Sequence, residues 1–287
     1  MKTAVITDSN SGIQKQEAEA LGIFLIPMPV IIDGAVRYEE IDLTQEEFYQ
    51  CLTGGKSVTT SQPSPGDVME LWDNVLAQGY DSLVYIPMSS GLSQSCHTAL
   101  SLAAEYDGKV QVADNHRISV TMRESVIEAK QLADKGTPAV EIKEILEANA
   151  YQSTIYLAVD TLEFLLKGGR ITPAAAALGA VLNIKPILSI QGERLDAFAK
   201  VRGMKKCKKK IIEALKSDLE NRFHQPDMDR IRIGTAGSNL TAEESQDWKC
   251  TLENAFPGAY VYYNPLSLSI GCHTGPGAFG VGISILS

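Results

Sequence analysis

Short apolar runs alternate with amphipathic stretches through the first half of the chain, and this alternation limits the fold more than any other feature. The runs "TAVITD" (3–8), "SLVYIP" (82–87) and "KVQVAD" (109–114) have the length and composition of buried strands. The stretches "QKQEAEALG" (14–22), "PSPGDVMELWDNVLAQG" (63–79), "SCHTALSLAAEY" (95–106), "RESVIEAKQLADKG" (123–136) and "PAVEIKEILEANAY" (138–151) read as helices. Thr44 and Glu47 stand at capping-box spacing in a further short helix, "TQEEFYQCL". Strands that alternate with helices need right-handed crossovers. That predicts an α/β domain with a mostly parallel sheet covered by helices on both faces. The prolines of "FLIPMPVIID" (24–33) suit an edge or a loop better than a central strand.

After residue 155 the pattern changes. "TIYLAVD" (154–160) reads as a strand, "TLEFLLKGG" (161–169) as a helix with glycines at its end, and "KPILSIQGERLDAFAKV" (185–201) as a hairpin about "QGE". A long helix (204–223), a strand (230–236), a helix (241–256), a strand (259–264) and a glycine-rich end (271–286) complete the chain. Hairpins mixed with helices predict an α+β layer. The expected division is therefore an N-terminal α/β domain over 1–155 and a C-terminal α+β domain over 156–287.

Composition removes several function classes. The formal net charge of −9 argues against nucleic acid as a partner, because neutralising phosphates needs a basic footprint. Five cysteines, odd in number, widely spaced and without a C-x-x-C pair, read as reduced thiols rather than disulfides or a zinc site. No H-E-x-x-H or paired-carboxylate motif supports a metal. "MKTAVITDSN" runs straight into a strand without a secretory apolar region. The most membrane-like run, "PAAAALGAVLNI", falls far short of the ~20 apolar residues a span needs. A cytoplasmic protein is the expectation.

Ligands of open α/β sheets bind outside the carboxyl ends of the strands. Polar segments sit at four such ends: "TDSNSG" (7–12), "TTSQPS" (59–64), "SSGLSQS" (89–95) and "DNHRIS" (114–119). Each alone is an ordinary helix cap; together, hydroxyls and free helix N–H groups form an anion-binding mouth. Phosphate loops do not fit it. "GGKS" (54–57) has Gln50 where a P-loop needs glycine, only Gly12 follows the first strand, and "GPGAFG" (275–280) leads into a strand. A serine hydrolase would use Ser93 or Ser90 with His273 or His97 as base, but G-x-S-x-G is missing. His97 lies within a helix, His116 and His224 read as exposed, and His273 in its glycine-rich loop reads as a site residue. A carboxylate suits the mouth best, because neutral hydroxyls can donate to it without strong positive charge. The small-residue helix over 173–184 could wall a deep pocket behind it.

"TDSNSG", "TTSQPSPG", "SSGLSQS", "TLEFLLKGGRI", "IKPILSI", "KVRG" and "HTGPGAFG" occur in this order between residues 7 and 280. Together they closely resemble the DegV family. The resemblance implies two α/β domains enclosing a long-chain fatty acid between them. It also implies a carrier rather than an enzyme: the fatty-acid-binding subunit of a bacterial fatty acid kinase. Such a subunit presents the acyl carboxyl group to a separate ATP-dependent kinase subunit that makes acyl phosphate. The bound fatty acid is the ligand, and no cofactor is implied. On the matching motifs, Thr60 and Ser93 take the carboxylate, Ser61 assists, and His273 lies near the head group. Arg202 is implied to dock the kinase or contact phosphate, and Arg170 to do the same or to hold structure.

The chain departs from the family pattern at "LSQSCHTA", where Gln94, Ser95 and Cys96 replace glycine, threonine and tyrosine. The lost tyrosine predicts an altered pocket wall. "KVRGMKKCKKK" (200–210) places seven basic residues in an otherwise acidic chain. It reads either as a solvated helix face or as a docking patch for an acidic kinase surface or for transient contact with an anionic membrane. Two alternatives remain at this point: an esterase-like hydrolase using Ser93, and a lipid sensor without a kinase partner.

Overall fold

The structure is a computed structural model that describes residues 2–177, 184–192 and 194–286. Every residue of β1 (Thr3–Asp8) is buried. Ala4 and Ile6 face one side of the sheet and Val5 the other, so both faces must be covered. β1 pairs in parallel with β2 (Phe24–Ile26) after α1 (Lys15–Leu21). Next along the chain come β3 (Pro29–Ile32), β4 (Ala35–Tyr38), α2 (Gln45–Thr53), β5 (Val58–Thr60), α3 (Pro65–Ala77), β6 (Ser82–Ile86), α4 (Ser95–Ala103) and β7 (Val110–Val112). α5 (Ser119–Asp134) and α6 (Ala139–Ala148) follow. The parallel sheet runs in the order β2-β1-β6-β7. α3 and α4 close one face through Trp72, Val75, Cys96 and Ala99, and α5 and α6 close the other through Val126, Ala129, Ile142 and Leu146.

Local signals in the sequence act as written. Thr44 and Glu47 form the capping box of α2. Ser64 caps α3, with Pro65 at the first helical position. Gly22 closes α1 at a φ of +66°. The proline-rich stretch divides in two. β2 is an edge strand, whereas β3 is the middle strand of a small antiparallel sheet, β4-β3-β5. That corrects the expectation of an edge or a loop. Pro29 is tolerated because it is the strand's first residue, where a missing N–H costs no interior ladder bond.

The second half contributes β8 (Ser153–Ala158), α7 (Glu163–Gly168), α8 (Pro173–Ala176), β9 (Ile184–Ile190), β10 (Asp196–Arg202) and α9 (Met204–Asn221). β11 (Ile231–Gly237), α10 (Ala242–Ala255), β12 (Tyr260–Pro265), α11 (Leu268–Thr274) and β13 (Phe279–Ile285) complete it. Its mixed sheet runs β10-β9-β8-β13-β11-β12, with β11 and β12 parallel and the other pairs antiparallel. The division expected near residue 155 falls within β8, which belongs wholly to this sheet. β9 and β10 form the expected hairpin. Glu193 of its turn lies outside the described residues, as do residues 178–183, half of the expected helix over 173–184. The glycine-rich end is not all loop. Ser267 caps the short helix α11, accepting the Ile270 N–H at 3.4 Å.

α9 and α10 cover one face of the mixed sheet through Ile211, Leu215, Trp248 and Leu252. The other face presents Ile155, Leu157, Leu188 and Ile190 toward Leu92, Ile118 and Leu165. α5 packs against β1 on one side and against β11 and β13 on the other, so it stands between the two large sheets. Among the described residues, no helix is long and apolar enough to cross a membrane.

Candidate functional site

Between the sheets lies a pocket, partly open to solvent, with about 820 Å³ of empty space. Its wall is mainly aliphatic, with Ile118, Val120, Ile155, Leu157, Leu195 and Ile270 contributed by four separate parts of the chain. Enclosed apolar walls with a few converging polar groups are the usual form of a small-molecule site. The polar groups gather where the ends of β1, β5 and β6 approach α11. Asp8 sets two of these ends. Its buried carboxylate accepts the N–H groups of Asn10 and Met88, each at 2.8 Å, and so ties the end of β1 to that of β6. Burial raises its pKa to about 6 against those two bonds.

Thr60 at the end of β5 and His273 in the last turn of α11 meet at 2.9 Å between Oγ1 and Nε2. Gly168, the last residue of α7, makes room for the ring: a Cβ there would stand 2.2 Å from His273 Nδ1. Arg170 donates to the Gly168 carbonyl and, like His273, lines the cavity. On its far side the Thr60–His273 pair borders an outward space of about 1050 Å³ that Lys56, Lys167 and Phe164 also line. His273 and Arg170 line both spaces and form the threshold between them. Ser93 lies on the cavity wall in the turn after β6. Its N–H donates to the Ser89 carbonyl at 3.1 Å, and its Oγ accepts the Ser95 N–H at 3.2 Å, which keeps its own proton available to a ligand.

Burial pushes the His273 pKa down to about 4, and the nearby Arg170 charge adds to the effect. The ring is therefore neutral at physiological pH and acts as a hydrogen-bonding group, not as a cation. Because the folded pKa lies below the ordinary value, the neutral ring contributes stability that is present above about pH 6.5 and lost as pH falls through about 4. NMR titration of delipidated protein should show the His273 imidazole remaining neutral down to about pH 5. A midpoint at 6 or above would overturn this account of the threshold.

The structure places Ser93, His273 and Arg170 on the cavity wall, with Thr60 bonded to His273 at its border, and leaves the other candidates outside it. Ser61 is exposed and lines neither space; its N–H bonds to the Pro29 carbonyl. Arg202 is exposed at the end of β10. His97 and His224 are exposed. His116, expected at the surface, is half-buried and stacked on Tyr151 at 5.3 Å between ring centroids. The altered residues of the turn, Gln94, Ser95 and Cys96, do not line the cavity. Gln94 is exposed, and Cys96 packs with Trp72 and Tyr85 in the core beneath the parallel sheet, so the expected change in the pocket wall does not occur. A hydrolase relay does not form either: His273 pairs with Thr60, Ser93 holds a backbone N–H, and no carboxylate bonds to His273 among the described residues. Nor do the described residues contain a group of ligands suited to a metal ion.

Sequence reasoning missed four polar wall residues: Asn10, Ser119, Ser269 and Thr274. Asn10 is buried; its Oδ1 accepts from the hydroxyls of Ser267 and Ser269, and its amide donates to Met88 Sδ at 3.0 Å. It lies in "TDSNSG", already marked as a polar strand end, so position on that edge was the available signal. Ser269 precedes His273 by four residues on one helical face, a spacing hidden by the glycines that disguised α11 as loop.

Fold and site together describe a two-sheet α/β protein with an aliphatic pocket bordered by hydroxyls, a neutral imidazole and the Arg170 guanidinium. The chain belongs to the DegV family, whose model, described as "Uncharacterised protein, DegV family", matches residues 2–286. A DegV domain-containing protein of Listeria monocytogenes is 32% identical over 289 residues, covering 99% of each chain. Among solved structures, a DegV family protein from Thermus thermophilus, reported for its fatty acid binding, is 30% identical with a TM-score of 0.89 over 100% of both chains. DegV from Bacillus subtilis, described as a fatty acid binding protein, is 29% identical with a TM-score of 0.86 over 99% of both.

Proposed function

We propose that this protein is a cytoplasmic fatty-acid carrier that presents the carboxyl group of a bound long-chain acid to an ATP-dependent kinase subunit for conversion to acyl phosphate. The observation that carries the reading is a mainly aliphatic cavity between the sheets, bordered by the Thr60–His273 pair and lined also by Ser93. The fatty acids bound by the two similar proteins support it. Ser93, Thr60 and neutral His273 offer a carboxylate hydrogen bonds, with the Arg170 guanidinium at the same threshold.

Magnitudes divide the labour. Burying about fifteen methylenes contributes roughly 12 kcal/mol at ~0.8 kcal/mol each. Lost rigid-body freedom and chain ordering offset a large part of this. Each neutral hydrogen bond adds only about 1 kcal/mol. The tail therefore supplies affinity, and the threshold residues supply orientation. Ser93→Ala should weaken fatty acid binding by about fivefold and slow acyl-phosphate formation by more than about tenfold. The measurements are mass spectrometry of the extracted ligand, fatty-acid titration, and acyl-phosphate formation with ATP and a kinase subunit. Equal binding and equal turnover in the variant would sink the assignment of Ser93. Retention of long-chain acid without acyl-phosphate formation would leave the sensor reading in place of the carrier.

The outward space gives the reaction its access, with Arg170, Lys56 and Lys167 around the threshold. Arg202 and the exposed Lys205, Lys206 and Lys209 on α9 extend positive charge over a neighbouring surface. A groove of about 1190 Å³ between α9 and α10 is lined by Lys205, Lys208, Lys209 and Lys216. Lysines in the first turn of a helix oppose its dipole, which supports a docking role against an acidic kinase surface or an anionic membrane.

A further inference from the structure

A second concavity lies where α1, β2 and the turn after β4 meet the segment before α11, and it holds about 1020 Å³ of empty space, partly open to solvent. Its wall and that of the acyl cavity share no residue. Ile13, Ile23, Leu25, Pro27 and Leu71 make its wall largely apolar. Ile41, on the turn after β4, adds a side chain that is 65% exposed. Apolar clefts at the junction of two structural units are common small-molecule sites.

Charge selects what such a cleft can take. Glu19, Glu39 and Glu40 line it against Lys15 alone, and none of the four forms an ion pair among the described residues. Glu39 is half-buried; its Oε2 accepts the Leu268 N–H at 2.9 Å, and its Oε1 has no partner among the described residues. Glu40 Oε2 accepts the Lys15 N–H at 2.9 Å. Burial raises the Glu39 pKa to about 7 against the Leu268 bond, and the Glu40 charge adds to the rise. A carboxylate held partly out of water without a cation is costly, and a ligand cation removes that cost. An anionic ligand would meet a wall of its own sign. The described residues offer no group of ligands suited to a metal ion.

We propose that this cleft binds a small organic ammonium ion with an apolar body. Glu39 takes the ammonium group, Glu40 adds to the attraction, and the hydrocarbon part lies against Ile13, Ile23, Leu25 and Ile41. The charge-assisted bond sets orientation and selects against neutral and anionic compounds of the same shape. The site is separate from the acyl cavity, so the inference goes beyond the fatty-acid reading and does not depend on it. The cleft backs onto the helix that carries His273: Ser267 lines it, caps α11 and donates to Asn10 Oδ1 at 3.0 Å on the acyl wall.

The test titrates full-length protein at pH 8, with octadecanoic acid in excess to occupy the acyl cavity, and follows isoleucine methyl resonances by NMR. The probes are octylammonium, octan-1-ol and octanoate. Octylammonium should shift the methyls of Ile13, Ile23 and Ile41 saturably, leave those of Ile118 and Ile155 in place, and bind about tenfold more tightly than octan-1-ol. Octanoate should leave the three cleft methyls unmoved. Glu39→Gln keeps an acceptor for the Leu268 N–H; it should weaken octylammonium about tenfold and leave octan-1-ol unchanged. Ile41→Ser alters an exposed side chain and should weaken both. Absence of a saturable shift at the cleft methyls, equal affinity for the ammonium and the alcohol, or wild-type affinity in either variant overturns the proposal. The cleft methyls report whether or not the protein binds octadecanoic acid, so failure of the fatty-acid reading is seen separately.

Discussion

Ala236→Phe is expected to abolish retention of long-chain fatty acid while leaving the protein folded. Ala236 is a buried β11 residue on the cavity wall, packed with Val120 and Leu266. Behind this cluster the Tyr262 hydroxyl donates to the Val120 carbonyl at 3.0 Å, so the wall cannot retreat easily. A phenyl ring added there must occupy the empty volume. If it excludes roughly five methylenes at ~0.8 kcal/mol each, about 4 kcal/mol of binding is lost, close to a thousandfold in Kd. Filling a void does not by itself destabilise the fold, so the melting temperature of the delipidated variant should match or exceed that of the wild type. The checks are titration with octadecanoic acid and mass spectrometry of the purified variant. A folded variant that still retains its acid at wild-type affinity would show that the acyl chain lies elsewhere.

Gly168→Ala is expected to disable presentation of the carboxyl group while sparing most of the tail's contribution. The alanine Cβ would meet His273 Nδ1 at 2.2 Å, and the opposite nitrogen of that ring is already engaged by Thr60. Gly168 has no positive φ, so the backbone accepts alanine and the conflict is confined to the ring. Overpacking of this kind costs about 1–3 kcal/mol of stability, and relief requires His273 to leave Thr60. Acyl-phosphate formation should fall by more than about a hundredfold, because small misplacements of reacting groups carry penalties of that order. The imidazole resonances of His273 should shift in the same variant. Unchanged resonances with unchanged turnover would show that the Thr60–His273 pair does not position the head group.

Much of the fold is legible in residue order because its causes are local. Thr44 and Glu47 announce a capped helix, Gly22 ends one, and the all-buried run of β1 requires cover on two faces. The errors share a physical cause. β3 reads as an edge because proline is judged without knowing that it occupies the first position of the strand. α11 reads as loop because glycine lowers helix propensity, whereas Gly271 is required by its closeness to Tyr49, whose hydroxyl would lie 2.6 Å from a Cβ there. Cys96 reads as a pocket residue because it neighbours Ser93 along the chain. Within α4 it faces the sheet core instead.

By itself the sequence determined the alternation of strands and helices, the hydroxyl-rich strand ends, and a chemistry of neutral donors in an acidic chain. Periodicity, caps and composition express those properties over a few residues at a time. Only the tertiary structure decided which hydroxyls converge. Thr60 and His273 are 213 residues apart and meet because α11 packs against β5. Ser61 beside Thr60 faces outward, and Ser119, at an uncapped helix end, lines the cavity. Convergence across such separations depends on how the sheets and α5 pack, and no local pattern along the chain encodes that packing.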